Sequence, residues 1–93
     1  MNHKYFVNWT SQFKKDYKLA QRRHRDIAKL DGIISLLADG KPLPPANRDH
    51  ALSNNWANHR ECHIAPDWLL IYQVKNDVLV LELTRTGSHS DLF

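Results

Sequence analysis

The sequence predicts an α+β domain in the order β-α-α-β-β-β, with a helical hairpin packed on a mainly antiparallel sheet. Two observations indicate this class. Apolar residues recur at helical spacing in the first half of the chain, whereas runs rich in Leu, Ile, Val and Trp fill the second half. The length agrees with one domain over residues 1–93, because 93 residues with 42% hydrophobic content can bury one thin core but not two.

The first half reads as a strand and two helices. His3–Trp9 is aromatic and β-branched, which favours a short strand. Thr10 or Ser11 then offers an N-cap oxygen for the first helix, and Gly40 followed by Pro42 predicts the end of the second. The apolar stripes of the two helices are Phe13, Tyr17 and Ala20, then Ile27, Leu30, Ile34 and Leu37.

The second half reads as a loop followed by three strands. Residues 41–55 are dense in Pro, Asn and Ser and predict a loop. The strands are expected at residues 56–64, 67–74 and 78–85. A two-residue hairpin loop at Asn76 and Asp77 would place Trp68 opposite Arg85, and a three-residue loop would place Asp67 there instead. In both registers Arg85 is expected beside Asp67 and Trp68.

Charge is divided unevenly along the chain. Residues 1–46 hold nine Lys and Arg against four Asp and Glu, a balance of +5, and residues 47–93 hold four against six, a balance of −2. Such a cluster fits binding to a phosphate backbone, although two solvated helix faces would have the same composition. Seven of the nine cations lie close together: Lys14, Lys15, Lys18, Arg22, Arg23, Arg25 and Lys29.

Polar side chains that suit acid–base chemistry gather in the second half. His63 ends one predicted strand, and the C-terminal segment carrying His89 leaves the sheet at the same end as Asp67 and Arg85. Imidazoles that exchange protons and a guanidinium that neutralises phosphate are suited to RNA cleavage. Each residue also has a structural alternative: a surface His, a turn Asp, or an Arg in an ion pair with Glu61 or Asp67. The pattern does not place His50.

Metal and nucleophilic chemistry are poorly supported. In a strand, His59 and His63 would lie about 13 Å apart, too far to share one ion. Cys62 points away from its neighbour His63, and no phosphate-binding glycine loop occurs. We therefore expect no metal and no cofactor. A lone Cys and an N-terminus without an apolar signal core favour the cytoplasm, and no apolar run is long enough to span a membrane.

Three ordered runs resemble the signature of the YafQ family of toxins, in the RelE/ParE superfamily of type II toxin–antitoxin systems. They are residues 48–52 with Trp56, residues 60–72, and residues 85–93. The resemblance implies a RelE-like fold and a ribosome-dependent mRNA interferase. It implies as partners the ribosome and its RNA, mRNA, and a cognate DNA-binding antitoxin of the DinJ type. Asn54 stands where the family usually has Gly, and Asn tolerates positive φ.

The resemblance also implies functional residues. The catalytic set is His50, His63, Asp67, Arg85 and His89. Of these, His89 is expected to be the general acid, while His50, His63 and Asp67 share the roles of base and orienting group. Trp68 and Phe93 are expected to support or stack on a base, and the seven basic helix residues to contact ribosomal RNA. Two alternatives stay open: a ParE-like gyrase poison, for which these histidines would have no use, and a noncatalytic nucleic-acid-binding module.

Overall fold

The computed structural model describes residues 3–93 and contains a five-stranded sheet; the first two residues of the predicted domain lie outside the described part. The strands follow the order β1-β5-β4-β3-β2, in which β1 is parallel to β5 and the other neighbours are antiparallel. Their bounds are β1 Phe6–Trp9, β2 His50–Ala51, β3 Arg60–Ala65, β4 Trp68–Lys75 and β5 Val80–Gly87. The helices are α1 Ser11–Arg22, α2 Ile27–Ala38 and α3 His89–Leu92. The predicted α+β class is confirmed, and β2 and α3 are additions to the predicted order.

The helical hairpin begins and ends at residues that the sequence marks. The Thr10 side chain accepts a hydrogen bond from the Phe13 backbone N–H, and its hydroxyl donates to the Leu83 carbonyl, which ties α1 to β5. At the corner between the helices His24 adopts a left-handed φ of 57°, and Gly40 does the same after α2 with a φ of 72°. None of the described helices is long and apolar enough to cross a bilayer.

The two faces of the sheet bury different sets of apolar residues. Along β4, Leu70 and Tyr72 point into the main apolar cluster with the inner residues of α1 and α2, and we call this side the helix face. The alternate residues Leu69 and Ile71 point the other way and pack with Leu92 of α3. This second side carries the polar residues described below and is called the site face.

The β4–β5 register differs from both predicted registers. The loop between the strands holds four residues rather than two or three, so that Lys75 pairs with Val80, and Leu79 in this loop has a left-handed φ of 53°. A further shift between Ile71 and Tyr72 places Arg85 opposite Ile71. The expectation that Arg85 lies beside Asp67 and Trp68 is therefore wrong. The combined shift instead brings Asp67 level with His89, as their hydrogen bonds confirm.

Candidate functional site

One transverse row of the site face links four strands. His50 of β2 pairs with Glu61 of β3, Glu61 with Ile71 of β4, and Ile71 with Arg85 of β5. His63 follows Glu61 by two positions and so lies on the same face, about 7 Å further along β3. The antiparallel register thus places three of the predicted catalytic residues, His50, His63 and Arg85, on one side of the sheet.

The Asp67–His89 pair is the closest arrangement of two predicted catalytic side chains. The Asp67 carboxylate accepts hydrogen bonds from the His89 backbone N–H at 3.2 Å and from His89 Nδ1 at 3.1 Å. These bonds hold the pKa of Asp67 below its usual range, so it stays ionised. Because an ionised carboxylate only accepts, Nδ1 carries the His89 proton in the neutral ring and Nε2 carries none. The His63 ring lies beside this pair, with its centroid 6.0 Å from that of His89.

Helix α3 sets the position of His89. The Ser88 and Asp91 side chains form a reciprocal capping box, in which each accepts a hydrogen bond from the other's backbone N–H. Leu92 is buried on the site face, and Arg23 of the helical hairpin donates to Asp91 at 3.1 Å. Gly87 permits this close approach, because an added Cβ would lie 3.0 Å from Asp91 Cβ. The capping box, the Arg23–Asp91 ion pair and the burial of Leu92 therefore together hold a helix of only four residues.

Arg85 is held by a carboxylate of α1. Its Nε donates to Asp16 Oδ2 at 2.7 Å, and its Nη2 donates to Asp16 Oδ1 at 3.2 Å. The Asp16 side chain is 8% exposed and that of Arg85 26%. These hydrogen bonds raise the pKa of Arg85 further above its ordinary value, and its charge is permanent. Among residues 3–93, Asp16 accepts from two of the five guanidinium N–H groups, which leaves three that could bind an anion.

His50 is fixed by groups on either side of its ring. Nδ1 donates to the Arg48 carbonyl at 2.7 Å, and Nε2 lies 3.4 Å from Glu61 Oε1. The Glu61 side chain is 7% exposed, whereas that of His50 is 49% exposed. A nearly buried carboxylate therefore faces an accessible imidazole on the site face.

The two predicted base-contacting aromatics differ in exposure. Phe93 is 62% exposed, with its ring centroid 6.4 Å from those of His89 and Trp56. Trp68 is 2% exposed, and the Arg25 guanidinium lies over its ring at 5.2 Å. Phe93 therefore offers an accessible ring for stacking on a base. Trp68 is buried and covered by Arg25, so direct stacking of a base on its ring would require Arg25 to move.

The place of two buried carboxylates in the site was missed by the sequence analysis: Asp16 was not named, and Glu61 was named only as a possible ion-pair partner of Arg85. Asp16 follows Phe13 by three residues and precedes Ala20 by four, so it lies on the inner stripe of α1, where a charge requires a partner. Glu61 precedes His63 by two residues in a strand and so shares its face. Both could have been found from these spacings. The Ser88-x-x-Asp91 pattern likewise marks a helix start.

The basic helix residues differ in what they contact. Arg23 binds Asp91 and so joins the hairpin to α3, whereas Arg25 covers Trp68, which belongs to the main core. Lys14, Lys15, Lys18, Arg22 and Lys29 are exposed. Over residues 3–93, no three His, Cys, Asp or Glu side chains are grouped closely enough to hold a metal ion.

Comparison with known proteins gives consistent matches. Residues 5–93 match the family model described as "Bacterial toxin of type II toxin-antitoxin system, YafQ". The chain is similar to the mRNA interferase toxin YafQ of Escherichia coli strain B / BL21-DE3, with 43% identity over 94% of each chain. Its structure is similar to the crystal structure of YafQ from E. coli BL21(DE3), with a TM-score of 0.90, 40% identity, and coverage of 96% of this chain and 98% of the other. It is also similar to a toxin chain in the crystal structure of the E. coli DinJ-YafQ toxin–antitoxin complex, with a TM-score of 0.89, 40% identity, and coverage of 97% and 98%.

Proposed function

The chain belongs to the YafQ family of bacterial toxins of type II toxin–antitoxin systems, and from this premise we propose that it is a ribosome-dependent endoribonuclease that cuts translated mRNA. The observation that carries the proposal is the Asp67–His89 pair beside His63 on the site face. A gyrase poison or a passive binding module has no use for an oriented imidazole next to a second imidazole and a charged Arg. The E. coli relative is named an mRNA interferase, which supports the same chemistry.

The proposed reaction is a transesterification within RNA. The 2′-oxygen attacks the adjacent phosphorus as a base removes its proton, and the P–O5′ bond breaks as an acid protonates the leaving 5′-oxygen. The products are a 2′,3′-cyclic phosphate and a 5′-hydroxyl, so atoms and charge balance. Every proton in this scheme is moved by a side chain of the protein.

His89 is the proposed general acid. Asp67 accepts from Nδ1 and fixes the ring, so the protonated ring presents an Nε2–H to the leaving oxygen. His63 is the proposed base because its ring adjoins that of His89. His50 lies on the same face and shares the base role or orients the substrate, while Asp67 acts as the orienting group of His89.

Arg85 and Phe93 are proposed to hold the substrate. The three N–H groups of Arg85 that Asp16 does not use would bind the scissile phosphate and the charge that builds on it. The exposed Phe93 ring would stack on a base of single-stranded mRNA. Trp68 would support the site through its packing in the core on the helix face of the sheet.

The basic residues of the helical hairpin are proposed to contact ribosomal RNA. A small chain that cuts mRNA on the ribosome needs contacts beyond its catalytic side chains, and exposed Lys and Arg supply them. Reversing the charges of Lys14, Lys15 and Lys18 together is expected to abolish cleavage in a translating extract. Undiminished cleavage would contradict this assignment.

The proposed partner is a cognate DNA-binding antitoxin of the DinJ type, which would hold the toxin inactive in the cytoplasm. The similar E. coli toxin is known in complex with DinJ. A small acidic DNA-binding protein encoded beside this chain would be the expected inhibitor.

Mapping of mRNA 5′ ends after expression of the chain tests the proposed function. Discrete cuts in coding regions of translated mRNA, absent from the same RNA left untranslated, are the expected result. A DNA-damage response without cuts would instead identify a gyrase poison. If neither cuts nor a DNA-damage response is observed, the chain is a noncatalytic binding module. Equal cutting of untranslated RNA would refute ribosome dependence.

A further inference from the structure

A cleft of about 410 Å³ opens next to His63, between α2, the turn at Pro45–Asn47 and the end of β3. Ligand pockets in proteins span about 300–1,000 Å³, so this cleft accommodates one small ligand. We propose that it binds the mRNA nucleotide that adjoins the scissile phosphate. This inference rests on the proposed function and assigns part of its substrate site.

The lining combines cationic and apolar groups. Lys29 and Arg48 supply positive charge, and both are exposed. Across the described range 3–93, neither forms a salt bridge. Ala46, Ala65 and Pro66 supply apolar surface in the same cleft. A nucleotide has the matching composition, because its phosphate attracts cations and its base presents an apolar ring face.

The segments that line the cleft also contact the proposed catalytic histidines. His63 lines the cleft and also adjoins His89. Asn47 donates to the His63 carbonyl at 2.7 Å, and the Arg48 carbonyl accepts from His50 Nδ1 at 2.7 Å. The loop that carries Arg48 is thereby fastened to two of the proposed catalytic histidines. A nucleotide in the cleft would lie next to a phosphate presented to His63 and His89.

The proposal assigns Lys29 to substrate binding, whereas the basic residues of α1 are assigned to ribosomal RNA. Lys14, Lys15 and Lys18 do not line the cleft, and their proposed contacts exist only when a ribosome is present. A cleft for the substrate should instead bind RNA without the ribosome. Isolated protein and a short oligonucleotide can therefore test it independently of translation.

The experiment measures binding of a trinucleotide whose 2′-oxygens are methylated and cannot attack phosphorus. Its affinity is determined at several salt concentrations for the wild type, Lys29→Ala, Arg48→Ala and the control Lys41→Ala. Lys41 is exposed and carries the same charge but does not line the cleft. Each cleft variant is expected to weaken binding about tenfold and to reduce the salt slope by about 0.7, as for one lost phosphate contact on a single strand. Lys41→Ala is expected to bind as the wild type does, and Lys29→Arg to restore affinity.

Equal affinity of wild type and both cleft variants, or no measurable binding by the wild type, would overturn the cleft assignment. Cleavage of translated mRNA by the wild type would still stand in that case. Conversely, absence of cleavage in the mapping experiment would refute the proposed function while the trinucleotide still reports on the cleft. The two failures are thus distinguishable.

Discussion

The two faces of the sheet are built from the same strands but carry different kinds of residue. On the helix face, Cys62, Leu70 and Tyr72 are fully or almost fully buried against α1 and α2. On the site face, His63 alternates with Cys62 along β3 and His50 of β2 pairs with Glu61, while apolar cover comes from Leu92 of α3 with Leu52 and Trp56. Because side chains alternate along a strand, the residues that stabilise the fold lie on one face and the candidate catalytic residues lie on the other. Substitutions on the two faces should have separable effects.

The largest expected effect comes from His89→Ala on the site face. Loss of a general acid costs about a hundred- to ten-thousandfold in rate, so cleavage of translated mRNA should disappear. The His89 side chain is 56% exposed, and its loss should change the free energy of unfolding by only about 0.5 kcal/mol. Cleavage rates and denaturant unfolding of the same variant check both parts. A fully active His89→Ala variant would remove His89 from the mechanism.

A substitution on the helix face should show the opposite behaviour. Leu70 is fully buried, and Leu70→Ala should lower the free energy of unfolding by about 2–5 kcal/mol through the cavity it leaves. Lys75→Ala is the matched control on the same strand, because its half-buried pair with Glu82 at 3.4 Å contributes about 0–1 kcal/mol. Urea unfolding measures both. Equal stabilities would contradict the assignment of Leu70 to the core.

Asp16→Asn should affect both properties, because Asp16 joins α1 to the site face through Arg85. The amide cannot balance the guanidinium charge, and the free energy of unfolding should fall by about 1–3 kcal/mol, since Arg85 keeps partial contact with water. Cleavage should fall as well, because Arg85 loses its fixed position. Measured at temperatures where the variant stays folded, wild-type cleavage would show that Arg85 does not need Asp16.

The smallest expected effect is a change in the pKa of Asp67 when the His89 ring is removed. The pKa of Asp67 is depressed in the folded chain, first by the His89 backbone N–H and then by its ring. The stabilisation of α3 by this carboxylate is therefore present above the unfolded pKa and is lost as pH falls through the folded value. In His89→Ala the ring contribution disappears, and the pKa should rise part of the way to its ordinary value. NMR titration of the Asp67 carboxyl carbon measures this, and an unchanged pKa would contradict the observed pairing.

Local patterns predicted the helical hairpin well. The apolar spacing of the two helices and the Thr10 cap depend on neighbouring residues, and the structure confirms them. The β4–β5 register failed because it depends on loop length and on an irregularity at Ile71 and Tyr72, neither of which leaves a hydrophobic signal. The apolar Val78 and Leu79 looked like strand but lie in the loop. A two-residue strand such as β2 is too short for any periodicity.

The candidate site was predicted in part because its chemistry narrows the choice of residues. Histidines and one Arg near strand ends were recognisable from residue type and family resemblance. The burial of Asp16 could be inferred from its spacing, but its pairing with Arg85 could not, since the two residues lie 69 positions apart in the sequence. Asp67 was assigned to the site but was expected beside Arg85, and the register error hid its pairing with His89. Long-range polar contacts of this kind follow only once the register is known.

The chemistry of the cut ends tests the central claim most directly, namely that side chains of the site face cleave mRNA by acid–base catalysis. Fragments from translated mRNA are analysed for their terminal groups after exposure to wild type and to His89→Ala. The account predicts 2′,3′-cyclic phosphate and 5′-hydroxyl ends with the wild type and no such ends with the variant. Ends bearing a 3′-hydroxyl and a 5′-phosphate, or cyclic phosphate ends that persist in the variant, would contradict it.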